Sequence, residues 1–229
     1  MLFKSALTSR STREADLFFK GIPLFEGLSE ADNALLMQVA VRRRYPRHTL
    51  LVQEGDPGER FYLMRKGRAK VYLGNADGRE VILAFLAPGD FLGEMALVDD
   101  EPCSANVMTL EESEFVSISR HEFQRVMNSS PSMAANLVRA LTRRVREANQ
   151  QIESLALNDV RARVEQALRG LAVEEGGEFV IPARVTHRDI AAMVGASREV
   201  VTRLFRSLEE AGVVRVTGRR ITLTRPVRT

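Results

Sequence analysis

The sequence predicts an α+β chain: a β-roll of jelly-roll type, one long helix, then two short helices and a β-hairpin. Three observations predict it. Gly67, Gly78 and Gly89 recur at intervals of 11, each closing a short apolar run. Between Ala134 and Leu155 the apolar residues step by four and three. From Val185 to Gly212 the chain carries the start, turn and stop signals of two consecutive helices.

Composition narrows the possibilities. The 229 residues suffice for one large or two modest domains, and a hydrophobic share of 45% supports a globular core. The net charge of +3 is unevenly spread. Residues 1–131 hold 16 basic and 19 acidic side chains, a balance of −3. Residues 132–229 hold 17 and 11, a balance of +6, and every basic residue there is Arg. A basic C-terminal part suits a phosphate backbone. Cys103 is the only cysteine, which excludes an internal disulfide and a four-cysteine cluster. His48, His121 and His187 lie far apart, without metal-ligand spacing, so no metal site is expected. No apolar run reaches membrane-spanning length, and the N-terminus lacks the apolar centre of a secretion signal. A soluble, reduced, cytoplasmic setting is expected. No catalytic constellation stands out, so an enzyme is not expected.

The elements follow in order. Residues 1–15 read as a polar arm. Residues 16–41 carry helical patterning, with Ser29 placed to cap a helix containing Leu35, Leu36 and Val39. From about Tyr45, short apolar runs alternate with Gly, Asp and Pro, as strands of about five residues do. These runs include FLGEMALVDDEP and CSANVMTLEE. Asn75 to Gly78 reads as the hairpin turn between Ala69–Leu73 and Val81–Phe85. A compact roll or another antiparallel sandwich satisfies this pattern.

His121–Asn158 reads as helical, broken before Pro131. Ala134, Val138, Leu141, Val145, Ala148, Ile152 and Leu155 then form an a/d seam. Arg139, Arg143, Arg146, Glu147, Gln150 and Glu153 flank it, leaving a narrow apolar stripe that predicts a homodimer through this helix. Asn158–Asp159 marks a hinge. A helix with Val160, Val164 and Leu168 inward follows, and EEGGEFVIPARV reads as a loop with one short strand.

The last region carries most of the chemistry. Thr186 and Asp189 fit a capping box, and Ile190, Met193 and Val194 give the first helix its apolar face. Gly195 supplies a positive-φ turn and Ser197 a second cap. Val200, Val201, Leu204, Phe205 and Leu208 form the second helix's buried stripe, and Gly212 ends it. Arg198, Glu199 and Arg203 occupy its other face, near the N-terminus, where a recognition helix meets base edges in a major groove. Arg can bond guanine in a bidentate manner and a carboxylate can accept from cytosine. VVRVTGRRITLTR supplies a hairpin around Thr217-Gly218, which makes the domain a winged helix-turn-helix. The expected divisions are a sensor roll over 16–131, the dimer helix over 132–157 and the winged domain over 158–229.

Roll, long helix and winged helix-turn-helix in this order resemble the catabolite activator protein and fumarate-nitrate regulator (CRP/FNR) family of bacterial transcription regulators. GDFLGEMAL (Gly89–Leu97) with the downstream EPCSANV, and MVGASREVVTRLF (Met193–Phe205), carry the resemblance. It implies a cyclic-nucleotide-binding roll, double-stranded DNA as partner, and contact with RNA polymerase. Arg198, Glu199 and Arg203 would read bases, while Thr186, Ser197, Thr217 and Arg219 would meet phosphates. All three base readers match the cyclic-AMP-dependent branch, which implies a palindromic operator with TGTGA-like half-sites.

The resemblance also implies a ligand site at Gly93, Glu94, Met95, Cys103, Ser104 and Asn149. In cyclic AMP binders the Gly-Glu turn holds the ribose and a following Arg-Ser holds the phosphate. Here Cys103 stands at the Arg position and cannot offer a charged fork. Ala148 and Asn149 stand at the adenine-contacting pair. Three effector readings remain open: altered cyclic AMP binding, another nucleotide such as cyclic di-GMP with Arg42–Arg44, Arg47, Arg65 and Arg68 as candidate partners, or a roll without ligand. A ligand-independent regulator or an architectural DNA binder is the alternative function. The expected mechanism is allosteric, a ligand re-aiming the paired recognition helices through the long helix or the hinge.

Overall fold

The structure is a computed structural model that describes residues 19, 21–181, 185–218 and 220–224. The expected polar arm over residues 1–15 lies outside the described residues, as does Arg219. The chain divides into two compact units, Met1–Val71 with Phe85–Glu147, and Tyr72–Ala84 with Ala148–Thr229.

The first unit begins with a short 3-10 turn at Pro23–Phe25 and helix α1, Glu30–Val39. Ser29 caps α1 as expected, its hydroxyl accepting from the Asp32 amide at 3.1 Å. Strands β1 (Val41–Tyr45), β2 (Leu50–Val52), β3 (Arg60–Lys66), β4 (Ala69–Gly74), β5 (Glu80–Leu86), β6 (Phe91–Leu92), β7 (Asn106–Thr109) and β8 (Ser113–Ser119) follow along the chain, with Tyr72–Ala84 of β4 and β5 falling in the second unit. They form two four-stranded sheets, ordered β1-β8-β3-β6 and β2-β7-β4-β5. The turn at Asn75–Gly78 joins β4 to β5, and the Asn75 side chain accepts from the Asp77 and Arg79 amides. Gly67, Gly78 and Gly89 all hold positive φ, which explains why glycine recurs at these turns.

Two expectations fail here. The run FLGEMALVDDEP is not a strand: only Phe91–Leu92 is extended, and Glu94–Asp99 forms helix α2. Gly93 adopts φ +86°, a left-handed turn that ends the strand and starts the helix. Strands also begin earlier than Tyr45. VRRRY is β1, four of its five residues exposed, held by antiparallel pairing with β8.

Helix α3, Arg120–Ser129, is capped by Ser119, and the long helix α4 runs Pro131–Leu157. Phe61, Leu63, Phe91, Val116, Ile118, Phe123, Met133 and Leu137 share one buried core, with Ala140 and Leu141 packed against it. Phe61 stacks on Phe91 and on Phe123, at 5.6 and 4.9 Å between centroids.

In the second unit Asp159 caps helix α5, Val160–Leu171, accepting from the Ala162 amide at 2.8 Å. β9 (Val173–Glu175) and β10 (Glu178–Ile181) form a hairpin over Gly176–Gly177, where the sequence predicts one strand. A glycine pair, both with positive φ, turns the chain there. Helices α6 (His187–Val194) and α7 (Arg198–Glu210) follow, then β11 (Val214–Thr217) and β12 (Arg220–Leu223). The small sheet is ordered β11-β12-β10-β9, so the wing pairs with the earlier hairpin. Val164, Leu168, Ile190, Val194, Val201, Phe205 and Leu208 are buried between these elements.

Candidate ligand pocket and DNA-reading surface

The turn from β6 into α2 is built around Gly93. A Cβ at Gly93 would overlap the Arg60 carbonyl oxygen, so position and φ both require glycine. The next residue, Glu94, is thereby turned inward and is only 2% exposed. One of its oxygens, Oε1, pairs with the Arg144 guanidinium from α4. The other, Oε2, is buried and has no hydrogen-bond partner among the described residues. Burial pushes the Glu94 carboxyl above its ordinary value, and Arg144 only partly offsets this.

Arg144 makes three contacts at once. It pairs with Glu94, donates to the Phe91 carbonyl at 2.6 Å, and lies over the Phe91 ring 4.5 Å from its centroid. Sequence reasoning missed it among the charged residues of the long helix. The available signal was its spacing: Leu137, Ala140, Leu141 and Arg144 share the inward face of α4.

A second missed residue is Arg120, the first of α3. Its guanidinium donates to the Gly58 carbonyl, to the Ala96 carbonyl at 3.0 Å and to Asp100. It ties the end of α2 to the loop before β3. No sequence pattern singled it out.

The remaining expected pocket residues are less drawn together. Met95 is exposed, and its sulfur lies 3.9 Å from the Ser104 hydroxyl. Cys103 is half-buried and its backbone is tied to Gly55 and Asp56. Burial, then Asp56, raises its thiol pKa, so it stays protonated at neutral pH and offers no charge. Asn149 is an exposed residue of α4. Of the arginines offered to a larger nucleotide, Arg42 and Arg44 are committed to the buried Glu114, at 2.6 and 3.3 Å.

In the second unit the caps form as expected. Thr186 and Asp189 complete a capping box on α6, Gly195 holds φ +62°, and Ser197 accepts from the Val200 amide. Val201, Phe205 and Leu208 turn inward, with Val200 and Leu204 half-buried. Arg198, Glu199 and Arg203 are exposed together on the opposite face of α7. The Glu199 carboxyl is held below its ordinary value by its own amide, then by the Ser197 hydroxyl and Arg198. Thr186, Ser197 and Thr217 are likewise exposed.

On α4 the residues of the expected seam divide between exposed and packed positions. Val138, Val145 and Ile152 are exposed by about three-fifths each (62%, 59% and 63%) and recur every seventh residue. Leu141 packs into the first unit's core instead, and Leu155 lies beside the Gly195 turn.

Comparison with known proteins agrees with this architecture. Residues 42–130 match the cyclic nucleotide-binding domain family, and residues 162–228 match the Crp-like helix-turn-helix domain family. The chain is 34% identical over 197 residues to the cyclic AMP receptor protein of Thermus thermophilus, covering 86% of this chain and 90% of that one. It is 30% identical over 205 residues to the CRP-like cAMP-activated global transcriptional regulator of Mycobacterium tuberculosis, covering 88% and 92%. Among solved structures, the cyclic-di-GMP-responsive global regulator CLP of Xanthomonas campestris superposes with a TM-score of 0.73 at 25% identity, covering 86% of this chain and all of that one. Relatives of this likeness are transcription regulators, not enzymes. Among the described residues no helix is long and apolar enough to cross a membrane. The roll with its Gly-Glu turn, the long helix and the capped helix-turn-helix with its wing place this chain in the CRP/FNR family of DNA-binding transcription regulators.

Proposed function

We propose that the protein is a cytoplasmic homodimer that reads a palindromic operator with TGTGA-like half-sites, under control of a cyclic nucleotide second messenger. The sensor spans 16–131, the dimer helix 132–157 and the reader 158–229. The observation that carries the DNA half is the shared exposure of Arg198, Glu199 and Arg203 on a face whose reverse side is locked by Val201, Phe205 and Leu208. Side chains on a fixed helix can read bases without first paying for order. Thr186, Ser197, Thr217 and Arg219 supply phosphate contacts, and RNA polymerase is the onward partner. Selection from random DNA tests this; a recovered half-site without the G/C core contradicts it.

The effector half rests on Glu94. Its unpartnered, buried Oε2 fits a ligand hydroxyl donor, such as a ribose hydroxyl. Arg144 supplies the cation that Cys103 cannot, with Gly93, Met95 and Ser104 as the further ligand contacts. The curated relatives named for cyclic AMP and the structural relative named for cyclic di-GMP support a cyclic nucleotide of either kind. Binding then shifts the paired readers through α4 and the Asn158–Asp159 hinge. A ligand-independent reading draws on the same pair, because Arg144 already neutralises Glu94. Titration calorimetry with cyclic AMP, cyclic GMP and cyclic di-GMP separates the two: heat with none of them favours the ligand-independent regulator.

A further inference from the structure

The helix-turn-helix contains one histidine, His187, packed between its two helices. His187 is the first residue of α6, directly after the capping Thr186. Its ring lies against Phe205 of α7, 4.3 Å between centroids and 32° between planes. Its Nδ1 is 3.2 Å from the Thr202 hydroxyl, also on α7. The imidazole is half-buried, and Nε2 has no partner among the described residues. Thr202 follows Arg198 by four positions and Glu199 by three, so it belongs to the same stripe of α7 as the base readers. His187 thus stands at the α6 N-terminus, tied to the reading stripe by one nitrogen and open at the other.

We propose that His187 is a DNA contact whose Nε2–H meets a backbone phosphate beside Thr186, with Thr202 as the positioning residue that holds the ring through Nδ1. This rests on the DNA-reading assignment of α7. When the Thr202 hydroxyl donates to Nδ1, the neutral ring carries its proton on Nε2, the tautomer a phosphate oxygen accepts from. Protonation leaves Nε2 a donor and adds a positive charge facing the phosphate.

The electrostatics make the contact proton-linked. The charged groups on the surrounding elements are Arg198, Glu199, Arg203, Arg206, Glu209 and Glu210 on α7, Arg188 and Asp189 on α6, and Arg161, Arg163, Glu165 and Arg169 on α5. Asp189 is spent on Thr186, and Glu165 is paired with Arg161 and Arg169. Burial first, then Arg198, lowers the His187 pKa, so the free protein carries a neutral ring at neutral pH. A phosphate brought against Nε2 has the opposite effect and raises the pKa in the complex. Binding therefore takes up protons, and affinity rises as pH falls through the value in the complex towards that of the free protein.

The test uses the full-length protein, its selected operator and a random duplex of equal length. Calorimetry in buffers of different ionisation enthalpy counts the protons taken up; titration over a range of salt gives the slope of log K. Wild type is expected to take up protons on both duplexes, because a phosphate contact is indifferent to sequence. Its salt slope should be steeper at pH 6 than at pH 8 by about one per half-site. H187Q should bind with less uptake and a slope that no longer responds to pH. T202V should shift the pH midpoint of uptake, and T202S should restore it. Equal uptake by wild type and H187Q, with operator binding intact, overturns the phosphate contact alone. Failure of folded wild-type dimer to bind the operator, with or without each cyclic nucleotide, overturns the DNA-reading assignment itself. A midpoint unchanged in T202V overturns the role given to Thr202.

Discussion

Glu94 and Arg144 form an ion pair in which the carboxylate is only 2% exposed while the guanidinium is 37% exposed, and just one carboxylate oxygen is used. The pair joins the Gly-Glu turn of the roll to the long helix. A buried charge held by one partner is sensitive to loss of that partner. Arg144→Ala is expected to destabilise the protein by about 1–3 kcal/mol, less than for a fully buried pair because solvent reaches the guanidinium. Urea unfolding measures this, and adding Glu94→Gln should recover most of the loss.

The same carboxyl has a pH signature. Its folded pKa lies above its unfolded one, so the folded state binds the proton more tightly. As pH rises through the ordinary carboxylate range towards the folded value, wild type should lose stability relative to Glu94→Gln, then level off above it. Parallel stability curves for the two proteins over that range would contradict the burial argument.

Glu114 gives the opposite sign. Arg42, then Arg44, hold its carboxyl below the ordinary range despite its burial. Its contribution is present above the unfolded value and is lost as pH falls through the folded one. Acid unfolding followed by circular dichroism should show Glu114→Gln less stable than wild type at neutral pH, with the gap closing in acid.

Val138, Val145 and Ile152 present one apolar stripe. Val145→Glu places a charge at its middle and is expected to yield monomers in sedimentation equilibrium with helix content unchanged. A dimer of unaltered strength would move the interface elsewhere.

On the reading face, Glu199→Ala should relax selectivity at one base position, with a cost of about 1–3 kcal/mol confined to the preferred base. Ser197→Ala should weaken binding to every sequence, because it removes the cap that starts α7, a loss of about 1 kcal/mol in helix stability. Competition binding with a panel of single-base operator variants distinguishes the two patterns.

The helix-turn-helix was legible because its signals are local. Thr186, Asp189, Gly195 and Ser197 act within four residues of themselves, and the structure shows each cap and turn. The pocket was less legible because its chemistry is non-local. Arg144 lies 50 positions from Glu94, and Arg120 lies 62 from Gly58. The α2 segment misled for a different reason. Met95 and Val98 are exposed while Ala96 and Leu97 are buried, an apolar run too short to show helical period. β1 was hidden by its three consecutive arginines, two of which are drawn to a strand partner's Glu114. His187 drew no attention as a lone histidine; only the fold brings Thr202 and Phe205 against it.

The central claim is that a cyclic nucleotide at the Glu94 site controls the reader. The measurement is operator affinity of wild type and Glu94→Ala by fluorescence anisotropy, with and without saturating cyclic AMP, cyclic GMP and cyclic di-GMP. The predicted result is that one nucleotide raises wild-type affinity by about 5- to 150-fold, the usual span of allosteric coupling, and leaves Glu94→Ala unchanged. Wild-type affinity that no nucleotide alters, or an equal response in Glu94→Ala, would contradict it.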